Sequence, residues 1–179
     1  MSAYYYAVAA LPALSYTEQP GMEYEVFLDF LEDQLSPADY ALLEAVRFGD
    51  TEHRPGDKPV LKAWKRWERT LRNELVRYRA SRLRKDPEDY FREGEETLAP
   101  VRTAKEVFDA ENPLEGEERF DKSRWMYLEE LETGHYFDLE RVIIYSLKLQ
   151  LLERKALRTR EEGIANFSDI LEKVESHNA

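Results

Sequence analysis

Cysteine is absent from the 179 residues. That removes disulfide frameworks, thiolate metal sites and cysteine nucleophiles together, and it suits a reducing compartment. Positive charge is missing from the start of the chain, where the first Lys or Arg is Arg47. A secretory signal opens on such charge, so the stretch YYYAVAALPAL is not expected to be one. Long apolar runs are missing too. The run from Ala7 to Leu14 is broken by Pro12 and falls far short of the roughly 20 residues that span a bilayer. No overall excess of basic residues exists, since 26 Lys and Arg face 37 Asp and Glu for a net charge of −11. General nucleic-acid binding, which neutralises phosphates with Lys and Arg, is therefore not expected.

Several chemical signatures are absent as well. No GxxxxGK[ST] loop and no GxGxxG occurs, so nucleotide binding finds no support. No two ExxH motifs stand ready to build a di-iron bundle. The three histidines, His53, His135 and His177, show no HxxxH spacing. No glycine-bounded, β-branched run alternates strictly, so no sheet is expected beyond a small hairpin.

What remains is helical periodicity at a length that fits one domain. Residues 24–35 place Val26, Phe27, Phe30, Leu31 and Leu35 on one face. Ser36-Pro37-Ala38-Asp39 reads as an N-cap, a proline at the first helical position and an acid in the first turn. That helix is expected to stop at Gly49. Residues 49–59, with two glycines and two prolines, form a loop or hinge between possible sub-lobes 1–57 and 58–179. A long helix follows from Pro59, with Val60, Trp64, Trp67, Leu71, Leu75 and Tyr78 in a continuous stripe. Asp86-Pro87 breaks it. Residues 87–121 read as two short helices joined by acidic loops.

KSRWMYLEELETG is a helix ending near Gly134, and FDLERVIIYSLKLQLLERKALRTREE is a second, apolar around most of its circumference between Leu139 and Leu152, as in a core helix. A short amphipathic helix over 164–174 closes the chain. The expected fold class is all-α, a compact bundle of long and short amphipathic helices. The opening stretch joins it: Tyr4, Ala7, Val8 and Leu11 share one helical face, Pro12 ends that helix, and alanines on its other faces would admit close neighbours.

Charge is distributed in blocks. Residues 1–57 carry a net of −9, 58–85 a net of +9, 86–121 a net of −9 and 122–179 a net of −2. Such a layout implies internal pairing, or a basic surface kept for an acidic partner. The candidate interface is the outer side of the basic helix, with Arg66, Arg69, Arg72, Arg77 and Arg79. Trp64 and Trp67 share the leucine stripe and read as core. The carboxylate clusters at 93–96, 115–119 and 129–132 read as solvated faces. Asp138 reads as the cap of the following helix, with His135 and Tyr136 shaping the turn. An enzyme using His135, Tyr136 and Asp138 is the competing reading. No catalytic residue, cofactor or metal site is assigned.

A resemblance adds to this reading. YYYAVAALPAL, SPADY, NPLEGE, RWMYLEELETGHYFDLE and YSLKLQLLER together resemble a small bacterial family encoded beside V-type (A/V-type) ATPase subunits in spirochaetes, chlamydiae and Bacteroides relatives. That family is loosely similar in helical character to the C (or d) subunit, a funnel-shaped socket joining the central shaft to the membrane rotor. At 179 residues the chain is about half that subunit's usual length. The resemblance implies a non-enzymatic subunit or accessory factor at the central stalk, contacting shaft or rotor subunits. It would be cytoplasmic, peripheral to the membrane and without insertion into it. The alternative is a free-standing adaptor for an acidic protein.

Overall fold

The computed structural model describes residues 4–83, 104–105 and 113–158. These build six helices and no strand: α1 (Tyr4–Ala10), α2 (Tyr24–Glu32), α3 (Pro37–Glu44), α4 (Pro59–Leu83), α5 (Pro113–Leu131) and α6 (Leu139–Ala156). The all-α expectation holds for them. Among these residues, no helix is long and apolar enough to cross a membrane.

Helix α6 is the axis. Its residues from Val142 to Leu149 are buried without interruption, and α1, α2, α3, α4 and α5 all pack against it. An element covered on every side has to be apolar around its circumference. Asp138 caps it, the side chain accepting from Arg141 N at 2.8 Å. The turn before it rests on Gly134, whose φ of +91° is a conformation that favours glycine.

The stripe of α4 faces inward as its spacing requires: Val60, Trp64, Trp67, Leu71 and Leu75 are all buried. Trp64 stacks on Trp67 at 5.9 Å between ring centroids, and Trp67 on Tyr127 of α5 at 4.7 Å. Broad rings lying flat on one another bury large areas at little rotamer cost. The Tyr78 side chain, the Asp86-Pro87 break and the helix expected over 164–174 lie outside the described residues.

Helix α1 explains the opening run. Ala7 is fully buried, Tyr4, Val8 and Leu11 pack against the core, and Pro12 follows as the stop. Its carbonyl accepts from the Tyr145 hydroxyl at 3.0 Å. The close approach to the body occurs at Ala7, whereas Ala9 and Ala10 face outward, so the alanines on the other faces do not serve it.

Three further expectations need correction. Val26 is exposed while Phe27 and Leu31 are buried, because the inward stripe of α2 runs through the i and i+4 pair and Val26 lies beside it. Residues 113–117 are the first turns of α5, with Pro113 at its start, rather than a loop. Proline fits there because its missing N–H would have no partner in the first turn anyway. An ion pair at i, i+4, Arg119 Nη2 to Glu115 Oε1 at 2.5 Å, supports the same turns.

Finally, α3 begins as read, with Ser36 Oγ accepting from Asp39 N at 3.2 Å, yet ends at Glu44 rather than near Gly49. The reason is Gln150 of α6. Its Oε1 accepts from Phe48 N at 3.0 Å and its Nε2 donates to Val46 O at 3.3 Å. One side-chain amide thus takes over backbone groups that a longer helix would have satisfied, and it lets Val46 and Phe48 both point into the core.

Replacing Gln150 with Leu keeps the volume and removes both bonds. Val46 O keeps its bond from Arg47 Nη1 at 3.0 Å, but Phe48 N loses its partner at a cost of about 1–3 kcal/mol, so the Gln150→Leu protein should unfold at clearly lower urea concentration with an unchanged slope. An unaltered midpoint in equilibrium denaturation would show that the clamp is ornamental.

Candidate functional site: a buried ion network

A helix with eleven basic residues in the segment 58–85 would be expected to turn them all to water. It does not. Lys65, Glu68 and Glu74 of α4 are buried, as are Asp121 and Arg124 of α5 and Lys148 of α6. Charges lose much more by leaving water than by staying, so each needs a partner with good geometry.

Arg124 and Glu68 form the centre. Arg124 Nε donates to Glu68 Oε2 at 2.9 Å and Nη2 donates to Oε1 at 2.6 Å, a two-pronged match between planar groups. Arg72 Nε adds a third charged bond to Glu68 Oε1 at 2.8 Å. The far side of the guanidinium donates from Nη1 to Asp121 Oδ1 at 3.2 Å. Aromatic faces enclose it, with Phe120 at 4.7 Å and Phe48 at 5.4 Å from Arg124 Cζ.

The chain of charges continues into α6. Asp121 Oδ2 contacts Arg158 Nη2, and Glu117 Oε2 accepts from Arg154 at 2.8 Å and Arg158 at 2.9 Å. Burial, then the neighbouring Arg124, hold the Arg154 guanidinium below its ordinary value, with Glu117 and Glu68 opposing them. The network therefore runs from α4 through α5 to the end of α6, alternating in sign along its length.

Two smaller braces repeat the idea. Lys65, with 1% of its surface exposed, donates to Glu52 O at 2.8 Å and reaches Asp57 at 3.1 Å and Asp50 at 3.2 Å. The segment 49–59 is thereby wrapped around one ammonium, with the turn closed at Gly56, whose φ is +93°. Burial pushes the Asp50 carboxyl up, but the Glu52 N–H, Lys65 and Arg54 together hold it below its ordinary value. On α6, Lys148 pairs with Glu132 at 2.8 Å over the Trp125 ring at 4.6 Å, while Arg141 holds the other Glu132 oxygen at 2.8 Å.

The five arginines singled out from the sequence divide. Arg66, Arg77 and Arg79 are exposed. Arg69 donates to Thr51 O at 2.6 Å, Arg72 is committed to Glu68, and Arg77 reaches Glu74 at 2.9 Å. At about 100° per residue, Arg66 and Arg77 lie within about 20° of each other, Arg72 and Arg79 lie about 120–160° from that pair, and Arg69 stands between, about 60–80° from each of the four. They do not form a single patch.

At the α5–α6 turn, His135 Nδ1 lies 2.7 Å from Asp138 Oδ2, and Tyr136 is 72% exposed. Candidate ligand atoms of His135, Asp138 and Glu140 lie within 4.8 Å of one another. Both Asp138 oxygens are nonetheless engaged, one by His135 and one as the helix cap. Glu132 and His135 stand in an ExxH spacing, but α5 ends at Leu131 and the turn at Gly134 separates them, so they share no helical face. His53 is exposed in the 49–59 segment, and His177 and the acidic cluster at 93–96 lie outside the described residues.

A cavity of about 450 Å³ opens beside the network, lined by Glu117, Asp121 and Arg158 together with Pro20, Leu114 and Leu152. At the centre of the network Glu68 accepts three charged bonds, which tie α4 to α5.

Sequence reasoning missed Glu68 and Asp121 as buried charges. The signal was there, since Glu68 stands four residues after Trp64 and thus falls on the apolar stripe. Asp121 and Arg124 are likewise one turn apart.

The profile of a family described as "Protein of unknown function (DUF2764)" matches residues 94–178. That stretch includes α5 and α6, and so the Asp121, Arg124, Arg154 and Arg158 half of the network; Lys65 and Glu68 lie before it. The description carries no activity and names no ATPase. No curated protein and no solved structure matches the chain.

Removing either partner of a buried charge pair costs about 3–5 kcal/mol. Glu68→Leu and Arg124→Leu should each approach that loss, and the double variant should lose well under the sum. Equal additivity in a double-mutant cycle would deny the coupling. The acid limb has a defined sign. The Tyr4 hydroxyl, then Ser36, hold the Asp39 carboxyl below its ordinary value, as the contacts named above do for Asp50. Lowered folded values mean that the unfolded chain binds more protons, so stability rises with pH through this range. The contribution is complete above about pH 5 and is lost as pH falls below about 4. Asp39→Asn/Asp50→Asn should flatten that limb in denaturation midpoints measured from pH 3 to 6, and an unchanged slope would refute the assignment.

Proposed function

We propose that this chain is a non-enzymatic helical subunit or accessory factor of a bacterial V-type ATPase, cytoplasmic and held at the membrane through that complex. Its place is the central stalk, between shaft and rotor. The single observation that carries the mechanical part is the ion network that joins α4 to α5 through buried Glu68, Arg124 and Asp121 and continues to Arg158, just past the end of α6. A coupling element must pass force without shearing. Helices stacked through flat aromatic rings and pinned by directional charged bonds resist both sliding and rotation. The choice of machine rests on the resemblance of the segments quoted above to the family encoded with these ATPases.

A second reading has its own observation. Arg66, Arg77 and Arg79 are exposed on a chain whose overall charge is −11. A free-standing adaptor would use such residues to steer an acidic protein.

A C-terminally tagged chain recovered from mildly solubilised native membranes distinguishes the two. Co-purification of shaft and rotor subunits in near-stoichiometric amounts supports the stalk assignment. Recovery alone, or with soluble proteins only, contradicts it and favours the adaptor. Arg66→Glu and Arg79→Glu, tested separately because they lie on different faces of α4, should show at least a tenfold loss of partner recovery in one of the two with little change in melting temperature, and unchanged recovery in both would remove these residues from the interface. Arg72 and Arg77 are left intact in this test, because a glutamate there would face buried Glu68 or Glu74.

A further inference from the structure

Four aromatic side chains stand in water at one end of the fold, where α1 meets the α5–α6 turn. Tyr5 is 42% exposed, Tyr6 64%, Tyr136 72% and Phe137 43%. Three of them are joined: the Tyr5 ring lies 4.8 Å from Phe137 and 5.6 Å, edge-on, from Tyr6, and Tyr136 precedes Phe137 in the turn. Elsewhere among the described residues large rings turn inward, as Trp64, Trp67, Phe27 and Phe48 show. An exposed aromatic cluster on a folded protein marks a contact surface, and tyrosines are prominent among the anchors of protein interfaces.

The rim specifies the charge of what binds. Asp39 accepts from the Tyr4 hydroxyl at 2.7 Å, and Asp138 and Glu140 are close enough to act on the same hydroxyl. These three carboxylates thus gather around Tyr4, the chain neighbour of Tyr5, and Asp138 directly follows Phe137. Of the nearby cations, Arg141 is committed to Glu132 at 2.8 Å, and Lys58 acts on Asp39. Aromatic faces attract Lys and Arg, and carboxylates beside them strengthen the preference.

We infer that the Tyr5, Tyr6, Tyr136 and Phe137 surface, rimmed by Asp39, Asp138 and Glu140, docks a cationic segment of another protein, its Arg or Lys side chains set over the rings. A second copy of this chain is the poorer occupant. Its basic helix α4 would have to meet this end in a head-to-tail contact, which forms open chains unless the rotation happens to close. The inference does not depend on which machine the protein serves.

The test uses the full chain, labelled with ¹⁵N, and a synthetic helical peptide of Arg, Leu and Ala. A matching peptide with Glu for Arg is the control. The Arg peptide should shift amide signals of Tyr5, Tyr6, Tyr136, Phe137 and the turn around them, saturably, and the Glu peptide should not. Tyr6→Ser/Tyr136→Ser should weaken binding at least tenfold without moving the melting midpoint. Tyr136→Ser alone, which leaves α1 untouched, should weaken it severalfold, and so should Glu140→Gln. Strongest shifts elsewhere on the acidic surface, equal binding of the Glu peptide, or unaltered affinity in Tyr136→Ser would overturn the proposal. So would a two-chain mass in light scattering that Tyr6→Ser/Tyr136→Ser reduces to one, since the surface would then belong to a second copy.

Discussion

The pair between Arg124 and Glu68 is the contact on which the rest depends. Neither group could be tolerated in the interior alone. Together, with Arg72 and Asp121 at their edges, they leave no unmatched charge at the centre of the α4–α5 crossing. A hydrophobic contact at that place would hold the helices together without fixing how far one has slid along the other. A two-pronged charged pair admits one register. The cost is sensitivity, because loss of one partner strands the other in a medium that cannot solvate it.

The surrounding packing follows from this pinning. With α4 and α5 fixed, Trp67 and Tyr127 lie nearly parallel, at 9° between planes, and Phe48 can close over both Trp64 and Arg124. Phe48 reaches that position because α3 stops early and Gln150 takes its backbone N–H. A single residue of the axial helix thus couples the end of α3 to the charge network. The segment 49–59 is drawn in by Lys65, so a stretch rich in glycine and proline is organised by one buried ammonium rather than by regular structure.

Much of the architecture was legible because it is written in periodicity. The stripe of α4, the all-round apolar character of α6, the caps at Ser36 and Asp138 and the docking of α1 are local patterns with local causes. The block charges also pointed toward internal pairing between the basic segment and its acidic flanks, and Asp50 and Asp57, which hold Lys65, are of that kind, whereas Glu68 and Glu74 belong to the basic segment itself. What could not be read was which charges are buried. Glu68 falls on the apolar stripe, but its partner Arg124 comes from α5, 56 positions away. The early end of α3 depends on Gln150, more than a hundred residues distant. The continuation of α5 through Gly116 runs against local propensity, which glycine lowers by about 1 kcal/mol. The five arginines were grouped by their shared helix, but helical geometry and committed partners divide them. The exposed aromatic end escaped notice because tyrosines near a terminus look the same whether they are packed or presented.

The central claim is that α4, α5 and α6 behave as one braced body. Native-state hydrogen exchange measures this directly, because amides in a single cooperative unit open with a common free energy. The account predicts that the slowest amides of α4, α5 and α6 converge on the free energy of global unfolding as denaturant is added, and that they move together in Arg124→Leu. If α4 opened at a distinctly lower free energy while α5 and α6 stayed protected, the network would be an incidental surface of contact and the braced-body account would be wrong.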